Sequence, residues 1–311
     1  MIWRTLLLSL IPLRCLCAQV PNQPDRAAGS YRLKVAVDEV SVTFHVADSQ
    51  GLPINDLKLD EVRLLDNGKP PRRILRFQYL KDFPIRAAIL MDTSGSMLGE
   101  LATDRAISTR YAQRVLRQKT DRALVMDFGY QAEIVQPWTS DASLLAAGVK
   151  QRAMGGVNPR GGTALFDTLE HICRIEIGSL EHDGSENFIL LFSDGEDTAS
   201  FATLKQVVGT CQKANTAIYA FHAKPKTSST GPATLAELAA ETGGRVFFSD
   251  ASEAEVDEDL EMIEADLRNQ YRIVYRPTEL KWDGTFHRIE WMGSDRVDRV
   301  VIRSGYYALE H

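Results

Sequence analysis

From Ile85 onward, short apolar runs alternate with segments of helical periodicity, and this alternation restricts the fold more than any other feature. The apolar runs lie at 87–91, 123–128, 188–192, 216–222 and 245–248, with helical spacing over about 100–119, 164–177, 203–214 and 233–242. Such an alternation is typical of a parallel sheet covered by helices on both faces. Residues 133–136 follow the second run closely enough for an antiparallel hairpin. We therefore predict an α/β fold with a doubly wound, mostly parallel Rossmann-like sheet and one antiparallel edge strand.

Both flanks of this region show the period-two alternation of half-buried strands. Apolar residues alternate with polar ones from Val40 to Val46 and again over 271–275, and Asp66-Asn67-Gly68 is a tight-turn signal. His45 falls on the polar side of its strand, so we expect it to be exposed. Neither flank is long enough to build a core alone. We predict one small all-β domain formed by 30–82 and 271–308, with the α/β domain at 85–270.

The charge balance bears on the class of partner. The 36 Lys and Arg residues are outnumbered by 42 Asp and Glu, which gives a formal net charge of −6. A surface with this average charge repels a polyanion, so the sequence argues against a nucleic-acid partner.

The first 18 residues have the layout of a secretory signal peptide. Arg4 precedes the apolar run 6–13, and the segment ends at Ala18. The run is shorter than the roughly 20 residues that span a bilayer, and no later apolar stretch reaches that length. The alternative is a buried N-terminal strand or helix. We predict cleavage after Ala18 and an exported mature chain without a transmembrane segment, either periplasmic or extracellular.

Two of the four cysteines, Cys173 and Cys211, remain after such a cleavage, and both fall on predicted helices of the α/β domain. An oxidising compartment permits a disulfide between them. The sequence alone leaves both a bridge and two buried free thiols open, because it does not fix the distance between the helices.

Side chains with oxygen atoms lie directly beside three of the predicted elements. Asp92, Ser94 and Ser96 come directly after the first apolar strand, Thr163 lies just before a helix, and Asp194 follows a later apolar strand. In a doubly wound sheet these loops share one rim. Oxygen-only donors suit a hard divalent cation, Mg²⁺ first, with Mn²⁺ and Ca²⁺ as alternatives. The competing interpretation makes the serines ordinary helix N-caps and Asp92 a turn former.

Two acidic residues, Glu196 and Asp197, follow Asp194 closely. We expect their side chains to be solvated after the turn rather than to extend the cation site.

The five residues together resemble the metal-ion-dependent adhesion site of the von Willebrand factor A family, whose pattern is Asp-x-Ser-x-Ser, then a distant Thr, then a distant Asp. Over about residues 35–307 the chain is also similar to the acidobacterial-type VWFA-related family of secreted bacterial proteins. The sequence segments that carry this similarity are 46–68, 193–197, 242–244 and 303–307. The resemblance implies that Ser94, Ser96 and at times Thr163 touch the metal directly, and that Asp92 and Asp194 often act through water.

The resemblance also implies binding rather than turnover. A cation with exchangeable waters accepts a carboxylate from a partner protein, so we predict a secreted, metal-dependent adhesion module that is not an enzyme. One alternative is a structural subunit of an envelope assembly whose metal site is structural. A metal-dependent hydrolase is the weakest alternative, because no GxSxG elbow surrounds Ser94 or Ser96.

Overall fold

The computed structural model describes residues 39–308 apart from 82, 118, 152–160, 181–184, 224–228, 280 and 282, so the predicted signal peptide at 1–18 lies outside the described residues. The strands in this part are β1 (Val40–Ala47), β2 (Leu64–Asp66), β3 (Arg73–Lys81), β4 (Ile85–Asp92), β5 (Arg122–Phe128), β6 (Ala132–Thr139), β7 (Glu186–Phe192), β8 (Thr216–His222), β9 (Val246–Phe248), β10 (Asn269–Arg276), β11 (Phe286–Trp291), β12 (Arg299–Ile302) and β13 (Gly305–Tyr307). The α-helices are α1 (Leu101–Val115), α2 (Ala142–Gln151), α3 (Leu165–His171), α4 (Leu204–Lys213), α5 (Gly231–Thr242) and α6 (Glu253–Arg268), and a π-helical segment, Ile172–Ile177, continues α3. None of the described helices is both long and apolar enough to cross a membrane.

The predicted doubly wound sheet is present and confirms the fold class. It has six strands in the order β6-β5-β4-β7-β8-β9, and all neighbours are parallel except β5 and β6, which form the antiparallel edge. Because β4 and β7 are adjacent and parallel, the residues that follow them meet at the same edge.

Burial on both faces explains why these strands read as continuous apolar runs. Alternate residues of β4 point to opposite sides: Ala87, Ile89 and Met91 join a core with α1, α2 and α6, whereas Ala88 and Leu90 join a core with α3, α4 and α5. The helix α2 was not among the predicted elements, and it packs against α1, β5 and β6.

The flanking strands form two antiparallel sheets, in the orders β12-β1-β10-β3 and β13-β11-β2. Each sheet combines strands that precede the α/β segment with strands that follow it, as the sequence pattern predicted. The strands β3 and β10 are neighbours, and Lys81 at the end of β3 pairs with Asn269 at the start of β10. Asn269 also caps α6, so the last helix continues into the sheet without a linker.

The prediction that His45 is exposed is wrong. Its side chain is 1% exposed, its Nδ1 lies 2.7 Å from the carbonyl oxygen of Asn269, and its Nε2 lies 3.5 Å from Asp266 of α6. Burial lowers the pKa of His45 to about 4 and raises the pKa of Asp266 to about 6. The period-two pattern of β1 identifies the face of His45 correctly as the polar one, but α6 covers that face.

The structure contains the disulfide that the sequence left open. Cys173, in the π-helical segment after α3, is bonded to Cys211 of α4, and their Cα atoms are 4.9 Å apart. Both residues are fully buried in the core that these helices share with the sheet. The bridge therefore ties two neighbouring helices on one face of the sheet.

Replacing both cysteines by alanine is expected to lower the free energy of unfolding by about 3–4 kcal/mol, because the bridge closes a loop of 38 residues in sequence. Urea denaturation of the oxidised wild type and the double variant measures this loss. The reduced wild type should unfold close to the variant. Equal midpoints for the oxidised wild type and the variant would show that the bridge does not stabilise the fold.

Candidate metal site

The end of β4 and the turn after it carry three of the five predicted ligands. Asp92 ends β4 and is 1% exposed, while Ser94 and Ser96 lie at the short 3-10 turn that leads to α1. The N–H of Ser94 donates to Asp92 Oδ1 over 2.9 Å, and the hydroxyl oxygens of the two serines are 3.1 Å apart. Within the described residues the Ser94 hydroxyl makes no capping hydrogen bond, so the N-cap interpretation of this serine has no contact to support it.

The second oxygen of Asp92 is held by Ser193, a residue to which the sequence analysis gave no role. Ser193 follows β7, is fully buried, and donates its hydroxyl to Asp92 Oδ2 over 2.8 Å. The N–H of Gly195 donates in turn to the Ser193 oxygen over 3.0 Å. Ser193 thus joins the ends of β4 and β7 and orients the Asp92 carboxylate. Its position directly before Asp194 is the feature of the sequence that could have pointed to this role.

The site is electrostatically unfavourable for carboxylates. Burial, and to a lesser extent the negative charge of Asp194, raise the pKa of Asp92 to about 6, although hydrogen bonds from Ser94 and Ser193 act in the opposite direction. Asp104, in the first turn of α1, is also buried, and its burial raises its pKa to about 7, with the charge of Asp92 adding to the effect. A bound cation would relieve this concentration of negative charge.

Thr163 reaches the same edge through its backbone contacts. Its neighbour Ala164 donates its N–H to the carbonyl of Gly129, which follows β5, and the preceding residue Phe128 accepts the N–H of Thr93 over 2.7 Å. The N–H of Thr163 donates to the Thr198 hydroxyl over 2.8 Å, and the Thr163 carbonyl accepts the N–H of Thr198 over 2.9 Å. These bonds connect the Thr163 loop to both the Asp92 loop and the Asp194 loop.

The donor set fits a hard cation. It offers two carboxylates and three hydroxyls, with no thiolate or imidazole among them, which matches the preference of Mg²⁺, Mn²⁺ and Ca²⁺. No group of three or more His, Cys, Asp or Glu that could hold a metal occurs among the described residues, so a site here depends on the hydroxyls as well as on the two carboxylates. Asp92, Ser94, Ser96, Thr163 and Asp194 are therefore the residues that could hold a cation.

The expectation that Glu196 and Asp197 are solvated holds only in part, because both side chains are partly exposed and both also accept backbone hydrogen bonds. Glu196 accepts the N–H groups of Thr230 and Gly231 at 2.9 and 2.8 Å, and these bonds lower its pKa. Asp197 accepts the N–H of Phe166 in the first turn of α3 over 3.1 Å. Both carboxylates hold the loop after β7 against helix N-termini rather than extend the cation site.

The same loop presents an exposed aromatic residue. Asp167 of α3 accepts the N–H of Phe201 with both carboxylate oxygens, at 3.0 and 3.1 Å, and the N–H of Ala202 at 2.8 Å. The Phe201 side chain is nevertheless 97% exposed. Leu98 and Tyr130, which follow β4 and β5, are also more than half exposed at this edge of the sheet. Sequence reasoning missed this apolar group, because no pattern reveals which loop residues stay uncovered.

The fold is an α/β domain in which the loops after β4 and β7 and the loop before α3 are joined by hydrogen bonds at one edge of the sheet. Residues 88–262, more than half of the chain, match the von Willebrand factor type A domain, and the chain belongs to this family. Domains of this family typically mediate protein–protein adhesion. No curated protein matches the chain.

Solved structures of the same fold are similar at low sequence identity. BatB from Bacteroides thetaiotaomicron is 15% identical with a TM-score of 0.48, and the match covers 58% of this chain and 97% of BatB. Proximal thread matrix protein 1 from the mussel byssus, with a zinc-occupied MIDAS motif, is 13% identical with a TM-score of 0.47; the match covers 60% of this chain and 48% of the mussel protein, about half its length. The vWF domain of the type V pili tip protein Mfa5 from Porphyromonas gingivalis is 11% identical with a TM-score of 0.47, covering 59% and 96%.

Proposed function

We propose that this protein is an exported adhesion module of the acidobacterial-type VWFA-related family. In it, Asp92, Ser94, Ser96, Thr163 and Asp194 form a metal-ion-dependent adhesion site. The proposed organisation is a signal peptide at 1–18, the α/β domain at 85–270 and a β domain assembled from 30–82 and 271–308. The buried disulfide supports export, because such bonds persist in oxidising compartments.

One observation carries the proposal: Asp92 is a buried carboxylate beside a second negative charge, and in the described part of the chain the groups that donate to it are serine hydroxyls and a backbone N–H. A divalent cation, Mg²⁺ first, would supply the missing positive charge and an open coordination position for a carboxylate of a partner protein. Ser193 and the Ser94 N–H hold Asp92 in place for this role.

The exposed apolar residues specify the partner further. The N–H groups of Phe201 and Ala202 donate to Asp167, which holds the backbone of Phe201 while its ring is exposed, and an exposed aromatic ring on a fixed backbone suits the anchor of an interface. Leu98 and Tyr130 lie at the same rim. We infer a partner that places an apolar residue next to the acidic group it offers to the metal.

The test is capture of a partner from an extract of the producing cell's envelope and medium, with Mg²⁺ and with chelator. Capture is expected with Mg²⁺ only, and Phe201→Ser should weaken it by at least about tenfold, as for a central aromatic residue of an interface. The matched control is Met292→Ser, which removes a side chain that is 56% exposed in the segment after β11. Capture that survives the chelator would refute the adhesion site and favour the structural-subunit alternative.

The affinity for Mg²⁺ is expected to fall as the solution is acidified below pH 6. Burial raises the pKa of Asp92 to about 6, so below that pH a proton must leave before a cation binds, which costs about tenfold in affinity for each pH unit. Without metal the sign is opposite: the contribution of Asp92 to stability is largest below its ordinary pKa and is lost as the pH rises through about 6.

Calorimetric titration with Mg²⁺ across this pH range measures the effect. Asp104→Asn is the control, because it removes the other buried carboxylate, whose pKa is raised to about 7, and leaves Asp92 in place. The decline below pH 6 should persist in this variant. An affinity independent of pH in the wild type would contradict the role of Asp92.

A further inference from the structure

A cleft of about 500 Å³ opens at the amino-terminal edge of the parallel sheet. Arg86 at the start of β4 and Asn187 at the start of β7 line one wall, and residues of β1, β3 and β10 line the other. Arg86 and Asp92 are six residues apart on β4, which places the cleft roughly 20 Å from the candidate metal site. The cleft is therefore a separate feature of the molecule.

Positive charge is concentrated in this cleft, although the chain as a whole has a net charge of −6. The cations that line it are Arg76, Arg86, Lys213, Arg272 and Arg303, and the carboxylate on its wall is Glu39.

Two carboxylates at or beside the cleft, among the described residues, already have partners. Glu39 pairs with Arg276 over 3.4 Å. Glu186, beside the cleft, is bound by the guanidinium of Arg272 and by the Asn215 amide. The pair of Arg272 and Glu186 is thus neutral. Neither Glu39 nor Glu186 forms an ion pair with Arg76, Lys213 or Arg303.

Three of the cations, Arg76, Lys213 and Arg303, form no ion pair with a carboxylate of the described residues. Arg303 donates one N–H to the carbonyl of Ser41 over 2.7 Å, whereas its Nε is buried and has no acceptor in the described part of the chain. The Oδ1 of Asn187 is likewise buried without a described donor. These two atoms have almost no exposed area, so the exposed side chains of Arg76 and Lys213 are the groups that a ligand in the cleft would contact.

We propose that this basic cleft binds a small anion that carries at least two carboxylate or phosphate groups. The three cations come from three separate segments of the chain, so one monovalent group does not satisfy them all. The volume is in the range of small-molecule sites. The proposal does not depend on the metal site.

The test uses calorimetry on the full chain stripped of metal, with tricarballylate, inorganic pyrophosphate and acetate as probes. We expect one of the two multivalent anions to bind, acetate to bind at least about tenfold more weakly at equal ionic strength, and added salt to weaken the binding. Tighter binding of tricarballylate or of pyrophosphate identifies a carboxylate or a phosphate ligand respectively.

Charge reversal at the exposed cations of the cleft, Arg76→Glu with Lys213→Glu, should lower the affinity for the probe that binds by at least about tenfold. The matched control is Arg72→Glu with Arg73→Glu, which makes the same change at two exposed residues at the start of β3 that do not line the cleft. Both pairs lie on the surface, and a thermal unfolding scan checks that each variant is folded. The proposal would be overturned if neither multivalent probe binds, or if both double variants lose the same amount of affinity for the probe.

Discussion

Replacing Asp92 by alanine is expected to abolish the stabilisation of the protein by divalent cations. A cation that binds only the folded state raises the free energy of unfolding by about 2.7 kcal/mol at a hundredfold excess over its dissociation constant. Asp92 contributes a buried carboxylate, and its loss also leaves the Ser94 N–H and the Ser193 hydroxyl without their acceptor. Thermal unfolding of chelator-stripped protein, titrated with Mg²⁺, Mn²⁺ and Ca²⁺, should therefore show a rise in Tm for the wild type and none for the variant.

Two further variants separate the charge of Asp92 from its shape. Asp60→Ala makes the same change at an exposed position and should leave the metal response intact. Asp92→Asn keeps the shape but removes the charge; because the fold raises the pKa of Asp92, this variant should be at least as stable as the wild type in chelator at neutral pH, yet remain insensitive to metal. A full metal response in Asp92→Ala would mean that the cation binds elsewhere.

Replacing Asp66 by alanine is expected to lower the free energy of unfolding by about 3–5 kcal/mol. This carboxylate is 4% exposed, and its Oδ2 accepts the hydroxyls of Tyr275 and Tyr306, each at 2.8 Å. Its Oδ1 lies 2.9 Å from His287 Nδ1. One side chain of β2 thus binds three donors from β10, β11 and β13, and its removal leaves buried donors without an acceptor.

Urea denaturation measures this loss, with Asp60→Ala as the exposed control. Tyr275→Phe removes one donor and leaves the carboxylate with two others, so it should cost only about 1–2 kcal/mol. If Asp66→Ala costs no more than Tyr275→Phe, the network is not the stabilising centre of the antiparallel sheets.

Much of the fold was predictable, because periodicity reports burial locally. The runs 87–91 and 188–192 are apolar since helices cover both faces of the sheet, and the alternation from Val40 to Val46 reflects one buried face. The candidate ligands were predictable for a related reason: they follow strands or precede a helix, and a parallel sheet brings such positions to one edge.

The remainder depends on contacts between distant segments. His45 is buried by α6 and Asp66 by strands more than 200 residues later in the chain, and neither neighbour leaves a trace in the local sequence. Ser193 and Asp197 resemble ordinary turn residues until β4 and α3 are placed beside them. A pattern locates a polar residue on a face, whereas only the packing shows what that face meets.

The pairing of Lys81 with Asn269 means that the chain enters and leaves its α/β segment at a single point of the four-stranded sheet. Topologically, the segment that carries the candidate metal site is a very long hairpin loop between β3 and β10. The segment is thus inserted between two neighbouring strands, and its helix α6 also covers β1. A force applied at the candidate metal site would therefore reach the antiparallel sheet through β3 and β10 together, and β1 is bonded to the far side of β10.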